Sequence, residues 1–256
     1  MPNIQKVVGA GLLLALCAAI VAPASAQQLI KNGGFETGSL SSWQPVDQGG
    51  SGGGFFARPN GGQFDPFRST VGLASGSYFA VSDQNGAFNG SHALLQAFTV
   101  TAPATSVILS FDMFVDNYSQ SGPVTPNSLD YTGVPNQQAR VDILSTGAGA
   151  FTTGAGDLAN FYKGSDPVTD PSIDNPHSYT HYSFDITSLV GSGGTFQLRF
   201  AEANNQDNLY QGVDNVSVFE MPVPEASTTV SLSLLLALGL GGLVIAAKRR
   251  KTTSSL

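Results

Sequence analysis

The strongest constraint on the fold is a series of short apolar runs separated by glycine, proline and other turn-forming residues. The clearest run is 196–200 (FQLRF), in which apolar and polar side chains alternate strictly. A period of two places the apolar side chains on one face of a strand, so this segment predicts one buried and one solvated sheet face. Between the two ends of the chain, no window has the period of an amphipathic helix. The pattern therefore predicts an all-β domain.

Seven segments have this strand character, and together they predict a two-sheet antiparallel sandwich of the jelly-roll type. They are 78–82, 92–100, 106–115, 139–144, 179–186, 195–203 and 212–219. An irregularity is expected in the last strand near Asp214 and Asn215, where the alternation breaks. Two long polar segments, 117–138 and 147–178, are expected to be loops.

The first 26 residues have the order of a secretory signal peptide. Residues 1–6 carry one lysine, residues 7–21 are almost entirely apolar, and Ala24-Ser25-Ala26 has the small-residue cleavage pattern. We therefore expect an N-terminal signal helix and a mature chain that begins at Gln27. The only cysteine, Cys17, lies in this segment, so the domain at 27–221 is expected to have no disulfide and no cysteine metal site.

The last segment, 222–256, has the composition of a membrane tail. From Ser227 to Ala247 no residue is charged, and as a helix this stretch would extend about 31 Å, the thickness of a hydrocarbon core. The basic residues 248–251 follow at once. Because basic residues beside a span stay on the cytoplasmic side, the domain is expected on the other side of the membrane. The segment thus predicts a C-terminal transmembrane helix and an exported domain.

A short motif precedes this span. It is formed by Val223, Pro224, Glu225 and Ala226 with the next two residues, 227–228. The motif, the span and the terminal basic cluster together resemble the PEP-CTERM sorting signal, in which a second proline usually stands at the position of Ala226. The resemblance implies recognition by an exosortase and delivery to the cell surface or extracellular matrix of a Gram-negative bacterium, often one that makes exopolysaccharide. A plain membrane anchor is the alternative.

The charge of the domain restricts its partners. The whole chain has a formal net charge of −7, but five of its eleven basic residues lie in the two tails. All 18 acidic residues lie between Gln27 and Glu225. A strongly acidic domain repels phosphate backbones, so nucleic acid is not expected as a partner. Divalent cations and neutral or cationic ligands suit this charge better.

A second resemblance covers the domain itself. Residues 29–38 (LIKNGGFETG), followed by Trp43, are similar to the opening of jelly-roll domains of the carbohydrate-binding-module type. The closing strand of those domains often contains DNV, and here residues 212–218 read GVDNVSV. The resemblance implies a non-enzymatic protein that binds polysaccharide. Alternatives are a structural or adhesive protein of the same fold without a sugar site, and a secreted glycosidase or lyase.

The same resemblance implies a structural calcium ion between the first and last strands, with Glu36 and Asp214 at the acidic positions. Calcium needs six to eight oxygen ligands, which carboxylates, carbonyls and waters supply. The alternative is that the two carboxylates only accept hydrogen bonds from turn amides.

Other residues are weaker candidates. Eight aromatic residues could form a sugar-stacking platform, although Trp43 is expected in the core: Trp43, Phe55, Phe56, Phe64, Phe67, Tyr118, Tyr131 and Tyr162. Four aspartates in one segment are expected to form a solvated acidic loop: Asp157, Asp166, Asp170 and Asp174. Zinc is not expected at the histidines, because His177 and His181 lie in a strand-like segment and a structural zinc needs four ligands.

Overall fold

The computed structural model describes residues 25–59, 74–83, 89–101, 103–119, 124–164 and 178–223. No helix in this part of the chain has the length and hydropathy needed to cross a bilayer. The predicted signal helix and the transmembrane helix at 227–247 lie outside the described residues. The elements are β1 (Gln27–Gln28), β2 (Gln44–Asp47), β3 (Gly54–Pro59), β4 (Tyr78–Asp83), β5 (Gly90–Val100), β6 (Ala104–Asn117), β7 (Gln137–Ser145), β8 (Asp157–Gly164), β9 (Thr180–Asp185), α1 (Thr187–Val190), β10 (Gly194–Asn204) and β11 (Leu209–Pro222).

The strands form two antiparallel sheets. The first sheet has the order β3-β4-β11-β6-β9, and β1 also pairs with β11. The second sheet has the order β2-β5-β10-β7-β8. In each sheet most neighbours in space are distant in sequence, as in the pairing of β1 with β11 through Gln27 and Glu220. The last strand therefore lies near the centre of the first sheet, in contact with the beginning of the domain.

One apolar core joins the two sheets. Phe111 of β6 and Phe200 of β10 meet across it with ring centroids 5.2 Å apart and nearly perpendicular planes. Trp43, just before β2, packs against Phe200 at 6.0 Å and against Phe35 at 5.6 Å. All four side chains are buried. Each buried side chain of this size stabilises the folded state by about 1.5–3 kcal/mol, so the core holds the two sheets together as a sandwich.

The seven predicted strand segments are confirmed, as β4, β5, β6, β7, β9, β10 and β11. The expected irregularity in the last strand is confirmed too, because the pairing of β11 with β6 shifts register between Asp214 and Ser217. Asn215, inside this bulge, has a φ of 51°. Four strands were not predicted: β1, β2, β3 and β8. The last of these, Asp157–Gly164, lies within 147–178, so the expectation that this segment is loop was wrong for these residues.

The expectation of a solvated face on β10 was also wrong. Leu198, Arg199 and Phe200 are all fully buried. The polar face of this strand is covered by the segment between β7 and β8, from which Ala150 and Phe151 pack onto the second sheet. Alternation thus marks the two faces of the strand correctly, but the polar face lies under a second layer of chain.

Candidate functional site

The structure brings Glu36 and Asp214 to the same place, the turn that leads into β4. Glu36 accepts hydrogen bonds from the backbone N–H of Ser77 (2.9 Å to Oε1, 3.0 Å to Oε2) and of Tyr78 (3.1 Å). Asp214 accepts hydrogen bonds from the N–H of Ser75 (3.2 Å) and of Asn215 (2.7 Å). The two carboxylates therefore attach the β4 turn to both ends of the domain. These are the hydrogen bonds expected from the alternative interpretation, in which the two carboxylates accept from turn amides.

A third carboxylate lies beside them. Asp112 of β6 is the register partner of Asp214. Its Oδ1 lies 2.7 Å from Nδ1 of His181, and its Oδ2 accepts a hydrogen bond of 2.7 Å from the Asn215 side chain. The Asn215 amide oxygen in turn accepts a 2.6 Å bond from the Ser75 hydroxyl. Residues Glu36, Asp112, Asp214, Asn215 and His181 are named here the acidic cluster.

Backbone conformation explains why glycine and asparagine recur in this region. A Cβ at Gly33 would lie 1.9 Å from the carbonyl oxygen of Val216, so only glycine allows the first turn to approach β11 this closely. A Cβ at Gly76 would lie 2.1 Å from Oε1 of Glu36, so glycine also lets the carboxylate reach the β4 turn. Asn32 and Asn215 both have a φ of 51°, a conformation that asparagine tolerates better than most residues.

Burial raises the pKa of Asp214 to about 6, and the nearby carboxylates of Asp112 and Glu36 add to this effect. The N–H groups of Asn215 and Ser75 oppose it by bonding the charged form. The Asp214 side chain has no exposed surface. A residue placed in this way cannot protonate a glycosidic oxygen of an external sugar, so Asp214 suits a structural role.

The two predicted calcium ligands could supply only part of a shell. Within the described ranges, no group of three or more His, Cys, Asp or Glu side chains is arranged to hold a metal ion. Oε2 of Glu36 and both carboxylate oxygens of Asp214 each accept one N–H bond and retain a lone pair, whereas Oε1 of Glu36 accepts two. Burial is the main cause of the raised pKa of Asp214, and a cation here would offset the smaller contribution from the charges of Asp112 and Glu36. Carbonyl oxygens and waters would have to complete the coordination.

The predicted aromatic platform is not one surface. Trp43 is buried as expected, with its indole N–H donating to the Asn32 carbonyl at 3.0 Å. Phe55 lies in the main core, and Tyr118 is buried in a separate apolar cluster on the first sheet. The Tyr131 hydroxyl donates to the carbonyl of Gly49, which fastens one loop to another. Phe64 and Phe67 lie outside the described residues.

Another set of aromatic side chains, which includes Tyr162 of the predicted platform, does share one surface. Phe161 and Tyr162 lie on β8, the edge of the second sheet, and Tyr182 and Phe184 lie on β9, the edge of the first. Phe161 contacts Phe184 at 5.0 Å between ring centroids, and Tyr162 contacts Tyr182 at 5.8 Å. The rings of Tyr182 and Phe184 are nearly parallel, at 12°. All four are partly exposed. This set, named the aromatic edge, closes the side of the sandwich between the two sheets.

The described histidines lie in different sheets. His92 of β5 is fully buried, with Nδ1 2.7 Å from Asp47 and Nε2 3.0 Å from the carbonyl oxygen of Gly52. His181 of β9 is exposed and paired with Asp112. Each ring therefore has an aspartate partner of its own, and the structure does not bring the two histidines together. His177 lies outside the described residues.

No family model matches this sequence, and no curated protein does. Among solved structures, the carbohydrate-binding module TmCBM61 in complex with β-1,4-galactotriose is 11% identical with a TM-score of 0.41, covering 76% of this chain and 99% of that one. The K1 cleaved adhesin domain of Lys-gingipain from Porphyromonas gingivalis W83 is 15% identical with a TM-score of 0.45, covering 78% and 99%. A cyclase from Fischerella sp. TAU is 16% identical with a TM-score of 0.47, covering 77% and 98%. At these identities and TM-scores, none of these structures assigns a function to this chain.

Proposed function

We propose that this chain is an exported, non-enzymatic surface protein of jelly-roll type that binds a polysaccharide through the aromatic edge. The observation that carries the proposal is the position of Phe161, Tyr162, Tyr182 and Phe184 on two edge strands, where ring surface remains partly exposed. Aromatic rings offer sugars a flat apolar surface of fixed geometry at low cost in conformational entropy.

The surroundings of the aromatic edge suit a neutral polymer. Thr180 is exposed and lies on the same face of β9 as Tyr182 and Phe184. Its hydroxyl can donate a hydrogen bond to a sugar hydroxyl at the rim of an apolar contact. The acidic charge of the domain disfavours strongly anionic polymers.

Delivery to the surface is part of the proposal and rests on the sequence. The signal peptide at 1–26 would start export, and the tail at 222–256 would place the domain outside the membrane for an exosortase to process. The last described strand ends at Pro222, directly before the sorting motif that begins at Val223. A cut within the motif would therefore leave every strand of the domain intact.

Calcium is a further part of the proposal. An ion held by Glu36 and Asp214 would connect the first turn of the domain, the β4 turn and the last strand. Because the pKa of Asp214 is already raised by burial and by two neighbouring carboxylates, a divalent cation would relieve repulsion at this point. The ion would stabilise the fold and would take no part in binding the polysaccharide.

A polysaccharide array probed with the processed protein tests the binding proposal. At least one neutral glucan, mannan or galactan should be retained, and Phe184→Ser should weaken its binding by about tenfold, which corresponds to about 1.4 kcal/mol. Phe219→Ser is the control for loss of an aromatic residue from the first sheet outside the aromatic edge, since Phe219 lies exposed on β11. Because Phe184 also packs against the core, the melting temperature of Phe184→Ser is measured to show that the variant is folded during the assay. Equal loss of binding in both variants, or no retained polysaccharide, would contradict the proposal.

A further inference from the structure

Glu220 of β11 is a buried carboxylate with one unpaired oxygen. The residue is 1% exposed, and its Oε1 accepts a 2.9 Å hydrogen bond from the N–H of Thr101. Its Oε2 is buried and has no hydrogen-bond partner. Among the described residues, no lysine, arginine or histidine forms an ion pair with Glu220. An ionised carboxylate in this state is costly, because water has been removed and no cation replaces it.

The residue opposite Glu220 is Gln27, the first residue of β1. The two are register partners in the pairing of β1 with β11. Neighbouring antiparallel strands lie about 4.8 Å apart, so the backbone nitrogen of Gln27 is close to the base of the Glu220 side chain. In the full-length chain this nitrogen belongs to the peptide bond with Ala26 and carries no charge.

Hydrogen bonds hold the segment that begins at Gln27 to β11. Oε1 of Gln28 accepts hydrogen bonds from the N–H of Ile30 (3.0 Å) and of Val218 (2.9 Å). The N–H of Leu29 donates to the carbonyl of Val218 at 2.8 Å. A chain end created at Gln27 would therefore be held beside β11 and would not move freely in solvent.

We propose that Glu220 is the binding site for the α-ammonium group of the mature N-terminus. The inference rests on the export part of the proposed function, because a cut after Ala26 is what converts the Gln27 nitrogen into an ammonium group. The new cation then pairs with Oε2 of Glu220. Removal of the signal peptide thereby completes the contact between the first and last strands and stabilises the domain after export.

The ion pair has a chemical consequence for Gln27. A free N-terminal glutamine can cyclise: the α-amino nitrogen forms a bond to its own side-chain Cδ, the bond from Cδ to the side-chain nitrogen breaks, and ammonia leaves. The product is an uncharged lactam. The reaction needs the lone pair of an unprotonated amine, and pairing with Glu220 favours the protonated form. The mature protein therefore retains an open glutamine with a charged terminus.

The experiment titrates the α-amino group of the processed protein purified from cells that export it. Reductive methylation with ¹³C-formaldehyde keeps the positive charge of the amine and gives the N-terminus its own NMR signal. The ordinary pKa of an α-amino group is about 7.7–8.0, and a carboxylate within 4–6 Å should raise it by about one to three pH units. In Glu220→Gln the pKa should return to its ordinary range.

A second variant tests the inference even if Glu220→Gln does not fold. One alanine inserted between Ala26 and Gln27 moves the amine along the chain by about 3.4 Å while Glu220 stays in place, and its pKa should also become ordinary. The inference fails if wild type and the insertion variant have the same α-amino pKa. It fails equally if mass spectrometry finds the cyclised terminus or a terminus at another residue. Each of these results is independent of whether the protein binds a polysaccharide.

Discussion

Asp142 shows how a single residue can hold a layer of this fold in place. Its carboxylate is fully buried between Arg140 and Arg199. Nε of Arg199 donates to it at 2.9 Å and Nη2 of Arg140 at 3.0 Å. Another nitrogen of Arg199, Nη1, donates to the carbonyls of Ala150 (2.9 Å) and Thr152 (2.7 Å). Through Arg199, the charge of Asp142 fixes the segment that covers the second sheet.

We expect Asp142→Asn to be strongly destabilising. The change removes the negative charge that neutralises the two buried guanidinium groups. Breaking a buried ion pair by removing one partner typically costs about 3–5 kcal/mol. Unfolding in urea measures the loss. The control is Asp185→Asn: this carboxylate is exposed, and the amide oxygen of asparagine can still accept the hydrogen bonds from Thr187, so the loss should be about 1 kcal/mol or less. A loss in Asp142→Asn as small as in the control would show that the network contributes little.

Asp214 gives a second prediction at the residue scale, on pH and calcium. Its folded-state pKa is raised to about 6, above the ordinary value of 3.8. Between these values the folded domain holds a proton that the unfolded chain has lost. In EDTA, the contribution of this group to stability is therefore present below about pH 4 and is lost as pH rises to about 6.

Calcium should reverse this dependence, because it binds the charged carboxylate. At 100 times its Kd it would add about 2.7 kcal/mol, which raises the melting temperature of a domain of this size by roughly 5–10 °C. Melting curves at pH 7 in excess calcium and in EDTA should differ for the wild type and coincide for Asp214→Asn. Coincident wild-type curves would mean that Glu36 and Asp214 serve only as acceptors for turn amides.

At the scale of elements, alternation predicted strands well where one face meets the core. β10 and β9 are examples, since Phe200 lies in the core and the partly exposed Phe184 packs against it. β8 was missed because its sequence does not alternate regularly: the aromatic residues Phe161 and Tyr162 are consecutive. The pairing of β8 with β7 shifts register twice, which accommodates this irregularity. Burial of Arg199 could not be predicted from β10, because the residues that cover it, 150–152, belong to another part of the chain.

The two candidate sites also differ in how much of each could be predicted from the sequence. Glu36 and Asp214 were predicted to lie together because short motifs at both ends of the domain contain them, and the structure does bring them together around the β4 turn. Of the aromatic edge only Tyr162 was predicted as a sugar-stacking residue, although the alternation of Tyr182 and Phe184 in β9 was a usable signal. What the sequence lacked was the topology that makes β8 and β9 edge strands on the same side.

At the scale of the whole molecule, the two sheets depend on each other. The strands of the first sheet (β1, β3, β4, β6, β9 and β11) and of the second (β2, β5, β7, β8 and β10) are interleaved along the chain, so neither sheet can form from one continuous stretch. Phe200 of the second sheet contacts Phe111 of the first, and Trp43 packs against Phe200. Loss of either sheet would expose the same core side chains, which favours cooperative unfolding.

Trp43 allows this cooperativity to be measured, because it is the only tryptophan of the chain. Its indole ring is buried between Phe35 of the first turn and Phe200 of the second sheet. Tryptophan fluorescence therefore reports the core between the sheets, while far-ultraviolet circular dichroism reports the strands of both. We expect the two signals to give the same midpoint in urea, since the strands lose their apolar support when the core opens. Fluorescence that changes at lower urea than circular dichroism would show that the sheets separate before their strands unfold, and the shared core would then be the weakest part of the domain.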